Sequence, residues 1–234
     1  MLETELREQM CLIGQLMHRN GYVDGAGGNI SARLDDERIL TTASGLAKGF
    51  MTPDQIIIVD MNGKRVDSSN TANQHLRPTS EIVMHLECYH QRPDVQGVVH
   101  AHPPTSIALT ISGHDFTECI IPEMVMLLGV IPVLSYSSPA SDENRTAIAE
   151  AIRQHDVLML AYHGSLTVAK SLWDAYLRLE NLEHTAKIIY MVQQLGGAKK
   201  HLNGEQIEKL IAIRERLGLL HSNEREELTQ LLRQ

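Results

Sequence analysis

Leu2, Leu6, Met10, Ile13 and Met17 recur every three or four residues at the start of the chain. That spacing lays one apolar stripe along a helix, and Gly21 supplies its stop. A glycine-dense turn, Gly25-Ala26-Gly27-Gly28-Asn29-Ile30-Ser31, enters a short strand over residues 32–34, and residues 38–42 read as the returning strand. Residues 54–60 and 65–66 flank Asn62-Gly63 and predict a second hairpin. Pro78-Thr79-Ser80-Glu81 opens a helix through Tyr89, with Thr79 or Ser80 as N-cap and Glu81 in the first turn. An apolar strand ends at His100, and Pro103-Pro104 starts a short helix through Leu109. A short strand over 131–134, a helix over 142–154 and a buried strand over 157–161 follow. The long helix at 171–195 carries the core stripe Leu172, Ala175, Tyr176, Leu179, Leu182 and Ala186, and Gly196-Gly197 closes it. Two polar helices, 204–217 and 223–234, complete the chain. Helices and strands interleave, yet the hairpins exclude a purely parallel sheet. The pattern predicts a three-layer α/β domain with a mixed or largely antiparallel sheet. Residues 1–200 form its body, and 201–234 form a helical tail packed on the same domain.

Composition narrows the setting. The 234 residues are 43% apolar and 21% charged, enough for one soluble domain to bury a core without disulfides. A net charge of −8 argues against nucleic acid or an anionic membrane as the main partner. A small anionic substrate needs only a local cluster of donors. Cys11, Cys88 and Cys119 are odd in number and far apart, which reads as reduced thiols. The first residues are charged, unlike a signal peptide, and no run approaches the ~18 apolar residues that cross a bilayer. The expected location is the cytoplasm.

His100 and His102 end one apolar run, and His163 ends another. Residues two apart on a strand share a face, with Cα atoms ~6.6 Å apart. Two such imidazoles can converge on one cation at ~2.0–2.1 Å, and a third from a neighbouring strand completes a zinc site with one position open. His-x-His alone is weak among twelve histidines. Pro103 and Gly164, where the chain must turn, strengthen the pattern. The competing reading is a set of buried histidines bonded to backbone carbonyls. An amidohydrolase barrel also opens on His-x-His, but on its first strand, and this chain is short for such a barrel. Glu81 taken alone complements the helix dipole. His85, four residues on, shares its side of the helix as a packing or supporting residue. Lys48 reads as a solvated loop lysine, with phosphate neutralisation as the alternative. His114, His155, His184, His201 and His221 lie in polar segments and read as solvated.

Six short segments then line up: Gly28-Asn29-Ile30-Ser31, Thr41-Thr42-Ala43-Ser44-Gly45, Met51-Thr52-Pro53-Asp54, Pro78-Thr79-Ser80-Glu81, Gly97-Val98-Val99-His100-Ala101-His102-Pro103 and His163-Gly164. In this order and spacing, from about residue 4 to 197, the chain resembles the class II aldolase/adducin family, on the side of its L-fuculose-1-phosphate aldolases. The resemblance implies an α/β/α fold around a predominantly antiparallel sheet and a homotetramer with sites at subunit interfaces. It also implies one Zn2+, or another divalent ion, on His100, His102 and His163. Glu81 would bind that metal without substrate and act as the base with it. Gly28, Asn29, Ser44, Gly45, Thr79 and Ser80 match the family's phosphate cradle, although singly each is ordinary turn and cap chemistry. Many aldolases have two serines where this chain has Thr79-Ser80, so a hydroxyl survives at both positions. The implied activity is reversible cleavage of a ketose 1-phosphate, L-fuculose 1-phosphate or similar, to dihydroxyacetone phosphate and a short aldehyde. One departure stands out: where those aldolases place a proton-donating tyrosine, Ile121-Pro122-Glu123-Met124 carries none, and Glu123 lies about there. Sibling activities share the site: sugar-phosphate epimerase, oxo-tetronate phosphate decarboxylase and methylthioribulose-phosphate dehydratase. An adducin-like scaffold would lack the full histidine set.

Overall fold

The computed structural model describes residues 2–67, 73–114, 116, 121–138 and 141–231. Cys119 and the last three residues of the helix expected over 223–234 lie outside them. Helix α1 (Glu3–Arg19) leads into the hairpin β1 (Asn29–Arg33) and β2 (Arg38–Thr42), followed by β3 (Ile56–Asp60). Helix α2 (Ile82–Gln91), β4 (Gly97–Ala101) and α3 (Pro104–Ile111) come next, then β5 (Val133–Leu134) and α4 (Asp142–Ala151). Strands β6 (Val157–Leu160) and β7 (Gly164–Ala169) precede α5 (Leu172–Gln194), α6 (Gly204–Arg216) and α7 (Glu224–Leu231).

The seven strands form one sheet in the order β3-β2-β1-β4-β7-β6-β5. Among the described residues only the β5–β6 pair is parallel, so the largely antiparallel sheet expected from the hairpins is what forms. Alternation sorts the side chains to two faces. Ile30, Ala32, Leu40, Ile56, Val99 and Ala101 pack with Met10, Ile13 and Met17 of α1 and Ala175, Tyr176 and Leu179 of α5. Ile39, Val59, Val98, Leu166 and Val168 pack with Met84, Leu86 and Tyr89 of α2 and Ile148 of α4. Helices therefore cover both faces. Among the described residues, no helix is long and apolar enough to cross a membrane.

Two local expectations are corrected and one strand is added. The hairpin turn at Asn62-Gly63 closes, with the Asp60 N–H donating to the Lys64 carbonyl at 2.8 Å and the Val66 N–H to the Ile58 carbonyl at 3.0 Å. Its returning arm, however, is an isolated bridge from Arg65 to Val59 and no strand, and Arg65 turns its guanidinium to Asp67 and the backbone of Asn73 and Leu76. Helix α2 begins later than expected, with Glu81 itself at the N-cap in place of Thr79 or Ser80 and without a side-chain cap bond. Strand β7 is an addition: its residues, Gly-Ser-Leu-Thr-Val-Ala, fall between His163 and the long helix, where the pattern assigned no element, and all six are buried. The tail helices also hold more than a polar surface. Ile207, Ile211 and Leu228 pack on Val125, and Arg214 and Glu224 form a fully buried ion pair at 2.9 Å.

Candidate metal centre

His100 lies on central strand β4, which pairs with β1 on one side and β7 on the other. Its Nδ1 donates to the Ser165 carbonyl at 2.8 Å. A carbonyl can only accept, so the proton sits on Nδ1 and Nε2 presents a lone pair. His102 follows just past the strand. Its exit is anchored by buried Glu183 of α5, which accepts from the backbone N–H of Thr105 and Ser106 at the start of α3. His163 occupies the three-residue turn between β6 and β7, whose register joins Leu160 to Gly164. Tyr162, with φ of +61°, turns the chain there, a conformation uncommon for an aromatic residue and found where surrounding structure enforces it. Gly164 is required by proximity: a Cβ on it would stand 2.3 Å from the Ala101 carbonyl oxygen and about 3 Å from both His100 and His102.

The ligand atoms of His100, His102 and His163 all lie within 4.8 Å of one another. His100 Nε2 is 3.1 Å from His102 Nε2, close to the roughly 3.3 Å separating two ligands 2.0–2.1 Å from a tetrahedral ion. Glu81 reaches across with Oε2 at 3.5 Å from His100 Nε2 and Oε1 at 3.3 Å from His163 Nε2. Burial, reinforced by His102 and His163, holds His100 well below the usual imidazole range, and burial lowers His102 too. A neutral nitrogen's lone pair facing a carboxylate oxygen is repulsive unless a cation lies between them. Three imidazoles and one carboxylate thus fit a divalent metal.

Glu81 reaches this position because its place at the N-cap frees its side chain from the helix. Thr79 Oγ1 accepts from the Glu81 N–H at 3.3 Å. The Asn29 amide donates to Glu81 Oε2 at 2.7 Å, and Asn29 stands opposite His100 in the β1–β4 register. Gly28, with φ of +66°, lets the backbone pass close to His100: a Cβ would lie 2.9 Å from its carbonyl oxygen.

The proposed cradle segments also come together. Ala43 bridges Pro78, and the Ser44 N–H donates to the Arg77 carbonyl at 2.9 Å, so the exposed Ser44-Gly45 turn lies beside exposed Ser80. Thr79 is buried. Asn29 has one amide hydrogen beyond its bond to Glu81. Lys48 is not solvated: it is 2% exposed and donates to the carbonyls of Ala26 and Leu46 at 2.8 and 2.7 Å, tying the glycine loop to the loop after Ser44. Burial pulls its ammonium down to about 8, against an opposing pull from Glu81. Two distal histidines also depart from expectation. His155 and His221 are largely buried, and His221 Nε2 lies 3.2 Å from Asp156. Glu123 is exposed. His85 is fully buried behind Glu81; its spacing of four from Glu81 was the only signal of that.

The chain belongs to the class II aldolase family: residues 8–190 match the model of the Class II Aldolase and Adducin N-terminal domain. It is 31% identical to a 3-oxo-tetronate 4-phosphate decarboxylase of Escherichia coli over 82% of this chain and 89% of that one. It is 32% identical to an L-fuculose phosphate aldolase of Methanococcus maripaludis over 78% and 95%. The structure of YgbL from Klebsiella pneumoniae superposes with a TM-score of 0.79 at 29% identity, covering 90% of this chain and 99% of that one.

Proposed function

We propose that this protein is a carbon–carbon lyase acting beside the ketone of a phosphorylated sugar, cleaving a ketose 1-phosphate reversibly to dihydroxyacetone phosphate and a short aldehyde. The observation that carries this reading is Glu81, held with one carboxylate oxygen toward His100 and the other toward His163. The carbon next to a ketone is a weak acid, so a positioned carboxylate must move its proton. In cleavage, the bond between that carbon and the carbinol carbon breaks. As the aldehyde forms, the carbinol hydroxyl proton passes to ionised Glu81, directly or through water, and Glu81 then delivers it to the enediolate carbon. In synthesis, ionised Glu81 takes that proton back. A divalent metal, zinc by resemblance, would be held by His100, His102 and His163 and by Glu81 before substrate arrives, and supplies fixed charge against the developing oxyanion. Ser44, Gly45, Thr79, Ser80, Gly28 and the spare Asn29 hydrogen would hold the phosphate.

A second reading is decarboxylation of a 3-oxo-tetronate 4-phosphate. There the carboxylate leaves as CO₂, and Glu81 protonates the same enediolate carbon. Two observations favour it: the decarboxylase relative matches as well as the aldolase, and CO₂ departure needs no donor in place of the missing tyrosine. Residues 1–200 carry the chemistry in either reading, with 201–234 as a packed tail. A cytoplasmic homotetramer is the expected form, and the buried free thiols of Cys11 and Cys88 suit a reducing compartment. The test is a panel of phosphorylated ketoses and 3-oxo-tetronate 4-phosphate, with and without chelator, assayed for dihydroxyacetone phosphate, aldehyde and CO₂. Activity on phosphorylated ketoses with aldehyde release supports the first reading, and CO₂ the second. Equal rates on phosphorylated and free sugars, or chelator-insensitive turnover, rule out the site as described.

A further inference from the structure

Behind Glu81 runs a buried line of polar side chains, of which the chemistry above uses only Asn29. Asn29 Nδ2 lies 2.7 Å from Glu81 Oε2, and Asn29 Oδ1 meets His85 Nε2. His85 Nδ1 lies 2.6 Å from Ser31 Oγ, which lies 2.9 Å from the Tyr89 hydroxyl. Asn29, Ser31, His85 and Tyr89 are each 3% exposed or less. Asn29 and Ser31 sit two apart on β1, and His85 and Tyr89 sit four apart on α2, so two regular elements face each other across the line.

The directions of these bonds follow from one end. The ionised carboxylate only accepts, so the Asn29 NH₂ donates to it. The remaining Asn29 atom is then the carbonyl oxygen, an acceptor, so His85 Nε2 must carry the proton. A neutral imidazole with its proton on Nε2 has a lone pair on Nδ1, which accepts from the Ser31 hydroxyl. Ser31 Oγ in turn accepts from Tyr89. Burial lowers His85 to about 3, with His100 adding to the effect and Glu81 opposing it, so the ring is neutral at ordinary pH. All four bonds therefore point the same way, each donor polarised by the next, and the series ends on Glu81. The far end is steadied by Arg33, whose guanidinium lies 4.9 Å from the Tyr89 ring centre and donates to the Tyr89 carbonyl.

We infer that His85 is a positioning residue: through Asn29 it fixes the rotamer of the Glu81 carboxylate over the three histidines, and Ser31 and Tyr89 fix the imidazole tautomer that makes this possible. The alternative, a histidine that merely fills space between β1 and α2, would need neither the tautomer nor the single direction of the bonds. The effect on catalysis rests on the role given to Glu81 above; the effect on the carboxylate's position does not.

The experiment compares wild type, His85→Leu, His85→Gln and Tyr89→Phe, each also in a Glu81→Gln background. Three readouts are used: zinc affinity of the metal-free protein by chelator competition, nitrogen-15 imidazole shifts, and exchange of the dihydroxyacetone phosphate C–H proton with deuterium. Removing such an outer partner typically weakens metal binding or activity 10–100-fold, and His85→Leu should do so. His85→Gln, whose amide nitrogen takes the place of Nε2, should recover most of the loss, and Tyr89→Phe should show a smaller loss. In the Glu81→Gln background His85→Leu should add nothing. The wild-type spectrum should show the His85 proton on Nε2. A proton on Nδ1, unchanged zinc affinity in folded His85→Leu, or an undiminished loss without Glu81 would each overturn the inference. Should His85→Leu not fold, Tyr89→Phe and the tautomer decide it, since that variant deletes one hydroxyl. If wild type catalyses no exchange while the zinc and tautomer results hold, the proposed reaction fails and the positioning role stands.

Discussion

At the scale of single residues, Glu81 separates chemistry from ordinary helix electrostatics. A glutamate that only complemented the dipole of α2 would cost under about 1 kcal/mol when replaced and leave turnover intact. As the proton carrier, its amide cannot accept, and Glu81→Gln should lower turnover by roughly 10²–10⁴. Deuterium exchange into dihydroxyacetone phosphate checks this without any aldehyde; normal exchange in the folded, metal-loaded variant would end the assignment. Lys48 makes a separate prediction. Its folded-state value of about 8 lies below the usual lysine value of ~10.4. Between those values the unfolded chain still holds a proton that the folded chain has shed, so this group's contribution to stability rises with pH across the window. The stability of wild type relative to Lys48→Met should therefore increase from pH 7.5 to pH 9.5, as read by urea unfolding. A difference that is flat with pH would mean the ammonium is not held by burial in this way.

At the scale of elements, the site is built where strand ends meet. β4 delivers His100, and the β6–β7 turn delivers His163. The two meet because Gly164 lets β7 close against Ala101. A methyl at that position would lie 2.3 Å from a backbone oxygen, which cannot rotate away. Gly164→Ala should cost ~1–3 kcal/mol, the usual range for overpacking, and should purify with clearly less than one metal per chain. Elemental analysis beside an unfolding curve checks both, and full metal content would show that the turn can relax without disturbing His163.

For the whole molecule, the tail is joined to the body by charge as well as by apolar contact. Arg214 and Glu224 are buried together, and Glu224 also accepts from the N–H of Val130 and His221. Arg214 reaches the Met126 carbonyl. Removing one partner of a buried pair strands the other charge, at a cost of roughly 3–5 kcal/mol. Glu224→Gln should lower stability by about that amount while leaving metal content unchanged, because the pair belongs to the tail and the 124–130 segment. A variant as stable as wild type would show that the pair is not what holds the tail.

Periodicity by itself determined most of the elements, since a stripe every three or four residues or an alternation of two needs no distant partner to be visible. The residue types that could hold a metal were equally legible, because His100, His102 and His163 stand beside residues that force the chain to turn. Other features depended on contacts between residues far apart in the chain. Strand β7 is a strand because β4 and β6 flank it. Lys48 looked solvated until two loops closed over it, and the helices that read as polar bury Arg214 and Glu224 only because α6 and α7 pack. The Glu81 carboxylate faces the three histidines with Asn29, 52 positions away, bonded to it. His85 faces Asn29 and Ser31 only once β1 lies against α2. Burial and hydrogen-bond direction are properties of the folded surroundings, and no spacing along the chain encodes them.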